Sequence, residues 1–251
     1  MIATVEAPNS GYRYMPGVFQ YSCGVGALPG FALERVRFSK VVPLKEGFAR
    51  IAEIIKAAGR PLTAFAACEL RSPAPFTEQG FIDFNEIYIK TLEDWGIMKD
   101  RVNPIARSNV CPKIDPPSEP GFYAFSFTTV APNAPPSFVI AGSGEATEGK
   151  GNYRDHTIRF GDTSPSGMLE KAKFVLDEME RRMSAFSGTW SQTTGAQLYT
   201  VQDVYPLLES ELGRRGVFRS GLTWHFNRPP IEGLEYEMDC RCVHTERVVE
   251  V

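Results

Sequence analysis

The chain of 251 residues is short of several things that would have set its function at once. It has only three His and five Cys, and Cys23, Cys68, Cys111, Cys240 and Cys242 are odd in number with no paired spacing. They therefore read as reduced thiols rather than a disulfide framework. There is no excess of basic residues: 27 Lys and Arg against 30 Asp and Glu leave a net charge of −3, which argues against nucleic acid or an anionic membrane surface as partner. No apolar run is long enough to span a bilayer and no secretory leader is evident, so a cytoplasmic protein is expected. Hydrophobic residues at 43% suffice for an ordinary globular core.

What is present is a repeat. Ile105-Ala106-Arg107-Ser108-Asn109-Val110 matches Val217-Phe218-Arg219-Ser220-Gly221-Leu222, and each Arg is followed fourteen residues later by a Gly, Gly121 and Gly233, both at an offset of 112. Gly24 against Gly144 and Gly47 against Gly167 give an offset of 120. A deletion of eight residues between the two blocks reconciles them. A period this long exceeds that of solenoid and propeller units, so the chain reads as two copies of one small domain: residues 1–131 and 137–251, joined by a Pro-rich linker, 131–136.

Each copy shows the same order of patterns. Val18 to Ser22 in the first and Phe138 to Ala141 in the second read as strands running into Gly-containing turns. A helix follows, with Phe48, Ile51, Ile55 and Ala58 on one face, or Leu169, Ala172, Val175, Leu176 and Met179. Then come a strand (Leu62 to Leu70; Thr189 to Val201), a second helix (Ile82 to Trp95; a shorter one from Asp203 to Leu212), the Arg-Ser strand, a Pro-rich turn and a closing strand. The expected fold is α+β, two mixed sheets each with two helices on one face. Residues 145–166 form a loop long enough to be functional or disordered.

Asn85-Glu86-Ile87-Tyr88, then Pro104-Ile105-Ala106-Arg107-Ser108, then a closing strand, resemble the RidA (YjgF) family of imine and enamine deaminases, whose pattern is V-N-x-x-Y, P-A-R-S and a V-E-I-E-A strand. A tandem chain of this kind is similar to the 2-aminomuconate deaminases of aminoaromatic degradation. The resemblance implies chorismate-mutase-like domains, sites in clefts between domains, a homotrimer, a small carboxylate as substrate and no cofactor. It implies that Arg107 and Arg219 bind the substrate carboxylate, as suits a planar fork that stays charged. It makes Glu237 the acid and base, and places Tyr12, Cys23, Gly24, Asn85, Ser143 and Gly144 around the substrate. The register of the acid stays open: Glu235, Glu237 and Asp239 share one face of a strand. The first copy has Phe125 at the corresponding offset, so its Arg needs an acid from the neighbouring domain. A dicarboxylate would want a second cation, and Arg154, Arg159 and His225 are candidates.

Two other constellations fit less well. Cys240, Cys242 and His244 alternate along a strand rather than showing the loop spacing of zinc ligands, so no metal is expected. Asp155-His156 with Ser164 and Ser166 lacks a nucleophile elbow. The rival functions are a chorismatase-like enzyme and a metabolite-binding protein without turnover.

Overall fold

A computed structural model describes residues 2–150 and 152–251. Thirteen strands form two sheets. The first unit runs β4 (Phe31–Pro43), α1 (Leu44–Ala57), β5 (Phe65–Arg71), α2 (Glu78–Asp94), β6 (Ala106–Pro112) and β7 (Gly121–Val130). The second runs β8 (Phe138–Gly144), a loop containing the short α3 (Tyr153–His156), α4 (Pro165–Ser184), β9 (Gly195–Tyr199), β10 (Thr223–His225) and β12 (Glu237–Cys242). Their sheets share one plan. The first has the order β6-β5-β7-β4 and the second β10-β9-β12-β8, each with one parallel pair and two antiparallel pairs. The two sheets thus repeat one strand order.

The remaining strands cross over. β1 (Val5–Ala7), β2 (Tyr12–Met15) and β3 (Gly24–Ala27), from the start of the chain, extend the second sheet beside β8. β11 (Asn227–Arg228) and β13 (Thr245–Val249), from its end, extend the first beside β6 and β4. Each sheet is completed by the other half of the chain, and residues 131–136 form an irregular turn between β7 and β8.

Helices cover the outer faces. Phe48, Ile51 and Ile55 of α1 pack with Phe65, Phe122 and Phe125 on the first sheet, where Phe48 meets Phe122 edge to face at 4.8 Å between centroids. Ala172, Val175, Leu176 and Met179 of α4 cover the second. α2 and α4 open on a hydroxyl cap, Thr77 accepting from Gly80 N and Ser164 from Gly167 N. The inner faces meet through small residues, Ala66, Ala67, Ala106 and Ala141, with Tyr12, Tyr14, Val25 and Leu33. Short side chains let the sheets approach closely. Among the described residues no helix is long and apolar enough to cross a membrane.

Three elements differ from the sequence expectation. The strand that feeds α1 is β4, not Val18 to Ser22, which forms a tight turn. β4 hides its pattern because Val36 and Phe38 face the helices while Arg35 faces inward to Glu69. Consequently Gly24 is a neighbour of β8, paired with Ile140, rather than the counterpart of Gly144. The second helix of the second unit is reduced to a 3-10 turn at Tyr205–Leu207 and a π-helical turn at Leu208–Gly213. Arg219 lies not on a strand but on a 3-10 turn, Val217–Ser220, flanked by Gly216 and Gly221 at φ of 87° and 82°. Glycines in the left-handed region break an extended run.

Candidate active site

Where β6 of the first sheet meets β8 and β12 of the second, a cleft opens between the units. Its walls come from β6 (Arg107, Asn109), α2 (Phe81), the loop after β8 (Gly144, Ala146, Glu148, Tyr153), Tyr21, and the segment from Pro230 to Glu237.

Arg107 is 3% exposed. Its Nη1 donates to Asn85 Oδ1 at 2.5 Å, and Asn85 in turn donates through Nδ2 to the Phe81 carbonyl. Tyr88, Tyr21, Phe81 and Phe84 surround the guanidinium at 4.8 to 5.9 Å from their ring centroids. This arrangement holds the side chain in one orientation, yet Nη2 is buried with no partner, and among the described residues no carboxylate forms an ion pair with Arg107. A buried guanidinium with a free donor at a cleft wall is suited to a carboxylate ligand. Two residues along the same strand face, Asn109 has its Oδ1 occupied by the Ser72 hydroxyl at 2.9 Å and its Nδ2 buried without a partner.

Glu237 faces them from β12, 4% exposed. Burial pushes its carboxyl well above the usual carboxylate range, Asp239, Glu145 and Glu148 push the same way, and Arg182 opposes them only in part. Among the described residues no donor reaches its oxygens. Space for the carboxyl comes from Gly142, where a Cβ would collide with Glu237 Oε1. Position comes from Glu145, which accepts the backbone N–H groups of Glu235 and Tyr236 at 2.6 and 3.1 Å and pairs with Lys171 at 3.2 Å, both side chains fully buried. Glu148 accepts the Tyr21 hydroxyl at 2.8 Å and pairs with buried Arg182 at 2.9 Å.

The other acids near Glu237 are bound to protein groups. Asp239 accepts from Gln197 and Tyr199, at 2.8 and 2.7 Å, and from Ser108. Glu69 is held bidentately by Arg35 at 2.6 and 2.9 Å; burial alone would raise its pKa, but Arg35 keeps it well below the usual range. Glu235 pairs with Arg228. Of the three acids on that face, Glu237 alone opens on the cleft without a protein partner.

The structure thus brings Arg107, Glu237 and Gly144 to one cleft, with Asn85 directly behind Arg107. Ser143 is buried next to Gly144, and its hydroxyl turns to the Gly144 carbonyl. Cys23 and Gly24 lie a layer back: Cys23 Sγ is 3.9 Å from Glu148 Oε2, and Gly24 fits between Phe186 and Ile140. Tyr12 belongs to the packing between the sheets. Arg219 is exposed and not among the cleft residues. Cys240 packs in the core under α4, His225 stacks on Tyr199, and Ser164 caps α4. Sequence reasoning did not single out Asn109, Glu148, Tyr153 or Tyr21. Only Asn109 carried a local signal, its period-two relation to Arg107.

Fold and cleft define a duplicated α+β protein whose site joins a guanidinium from one unit to a carboxyl from the other. Residues 4–247 match the family model of the 2-aminomuconate deaminase CnbZ, and the chain belongs to that family. It is 53% identical over 249 residues to a 2-amino-5-chloromuconate deaminase of Comamonas testosteroni, covering 98% of this chain and 99% of the relative. Among solved structures, a chorismatase superposes with a TM-score of 0.54 at 11% identity, over 91% of this chain and 79% of the other, a likeness of fold alone.

Proposed function

We propose that the chain hydrolyses the amino group from 2-aminomuconate or a ring-cleavage analogue substituted on the same skeleton, releasing ammonia and the 2-oxo acid. The observation that carries this reading is the meeting, in one cleft, of a buried guanidinium with a free donor and a buried carboxyl whose pKa is raised. The family membership and the 53% identical relative support the same chemistry.

The groups suggest the following order. Arg107 holds the carboxylate next to the amino-bearing carbon. Glu237, whose surroundings favour its protonated form, gives its proton to the enamine chain carbon, and the C–N bond becomes an iminium. The resulting carboxylate takes a proton from water as the water oxygen bonds to that carbon. That proton then passes to nitrogen, the C–N bond breaks, and ammonia leaves as the hydroxyl returns its proton to Glu237 and the carbonyl forms. Water is consumed, ammonia is released, and Glu237 ends the cycle protonated. The aromatic walls, Phe81, Tyr21 and Tyr153, limit bulk water around the iminium.

This chemistry and the paired units support reading the chain as a RidA-type deaminase, and a homotrimer with cytoplasmic residence belongs to the same reading; light scattering that finds a stable monomer at micromolar concentration would remove the trimer. The test of activity is ammonia and 2-oxo acid appearing in equal amounts from freshly generated 2-aminomuconate, with loss of both in Glu237→Gln. Turnover of chorismate with none of the amino acid would overturn it.

A further inference from the structure

The cleft contains a second unpartnered donor that the chemistry above does not use. We infer that Asn109 reads the distal carboxylate of a dicarboxylic substrate, so that Arg107 and Asn109 together select a chain carrying an acid at each end. The inference rests on the deaminase reading and adds to it the residue that measures substrate length.

Asn109 is 3% exposed and lines the cleft. Its amide is oriented: the Ser72 hydroxyl donates to Oδ1 at 2.9 Å, which leaves Nδ2 as the free end of a side chain that lines the cleft, with no protein partner. Leaving a buried amide donor unmade is costly, so such groups in native proteins serve a ligand or a water. Ser72 is itself placed by its backbone N–H, which donates to the Val110 carbonyl at 2.9 Å.

The spacing fits. Residues two apart on a strand emerge from one face about 6.6 Å apart, a span that five C–C bonds of about 1.5 Å, in zigzag, can cover. A six-carbon diacid lying along β6 matches the spacing of the two points from which Arg107 and Asn109 leave the strand. Glu237 approaches between them, since the Cβ position of Gly142, which abuts Glu237 Oε1, lies 3.2 Å from the Cα of Ser108. A substrate held at both ends presents its unsaturated carbons to Glu237. Phe81, Ile231 and Leu234 line the remaining wall and form an apolar cluster with Ala146, which suits the uncharged middle of such a chain. The amide also differs from a second guanidinium in kind: it donates to the distal carboxylate without adding a charge beside the developing iminium.

The test compares Asn109→Ala with the parent on two substrates, 2-aminomuconate and a 2-imino monocarboxylate generated by an amino-acid oxidase, together with binding of muconate and of hexanoate as stable probes. The expected result is a KM for 2-aminomuconate raised roughly tenfold or more, as for loss of a hydrogen bond to a charged group, with kcat little changed. The monocarboxylate is handled as before, and the preference for muconate over hexanoate is lost. Ser72→Ala, which frees the amide to turn, should shift the same ratio in the same direction by less. Unchanged selectivity in a folded Asn109→Ala overturns the inference, as does an equal loss on both substrates. If the parent protein deaminates neither compound, the deaminase reading has failed; if it does so and the variant matches it, only the role of Asn109 has.

Discussion

Replacing Glu237 by Gln should make the protein more stable and nearly inactive at once. The parent carboxyl is buried, has no donor among the described residues, and lies near Asp239, Glu145 and Glu148, so its folded-state pKa is raised. The sign follows from linkage. A group whose folded pKa exceeds its unfolded value of about 4.3 contributes its full share of stability below that value and loses it as pH rises through the folded pKa. Gln has nearly the same shape and no proton to lose. At pH 4 the two proteins should therefore differ little. At pH 8 the parent must either charge Glu237 in a largely buried site or keep a proton the unfolded chain has already released. Relief of that penalty is of the order of 1–3 kcal/mol, the usual cost of an uncompensated buried polar group. For a chain of this length that is a rise in Tm of roughly 2–10 °C. Activity should fall by about a hundredfold or more, as for removal of a general acid and base. Calorimetric scans from pH 4 to 9, read beside ammonia release, test both halves. A Gln variant less stable than the parent at pH 8 would refute the electrostatic argument, and one with full turnover would refute the assignment of the acid.

Arg107→Lys should raise KM by roughly ten- to a hundredfold, because an ammonium lacks the planar fork, whereas Arg219→Lys, on an exposed turn, should leave steady-state kinetics within about twofold; a reversal of these effects would move the site to the second unit. Gly142→Ala places a methyl against the Glu237 carboxyl and should cost about 1–3 kcal/mol of stability together with most of kcat, measured by denaturant melts and ammonia release. Lys171→Met strands Glu145 in the interior and should cost roughly 3–5 kcal/mol; a melt within 1 °C of the parent would show that the buried pair does not hold β12.

Local patterns in the sequence settled what depends on local physics. The apolar faces of α1 and α4 follow from helical period, and the order of elements in the first unit from turn and strand signals. The duplication shows in the spacing of Arg and Gly, and Asn85 with Arg107 was readable as a motif. The second unit was less legible because Gly216 and Gly221 turned an Arg-Ser segment, similar in composition to the first, into a 3-10 turn. Composition could not reveal that β1–β3 complete the second sheet while β11 and β13 complete the first, since strand pairing over such separations is set by side chains that meet only after folding. The site itself was decided there. Arg107 and Glu237 are 130 positions apart; each is one of several polar residues on its own strand, and no spacing along the chain links them. Only the packing of β6 against β8 and β12 places the free donor of one unit opposite the buried acid of the other. That packing, by excluding water, also gives Glu237 the raised pKa that an identical residue on an exposed strand would lack.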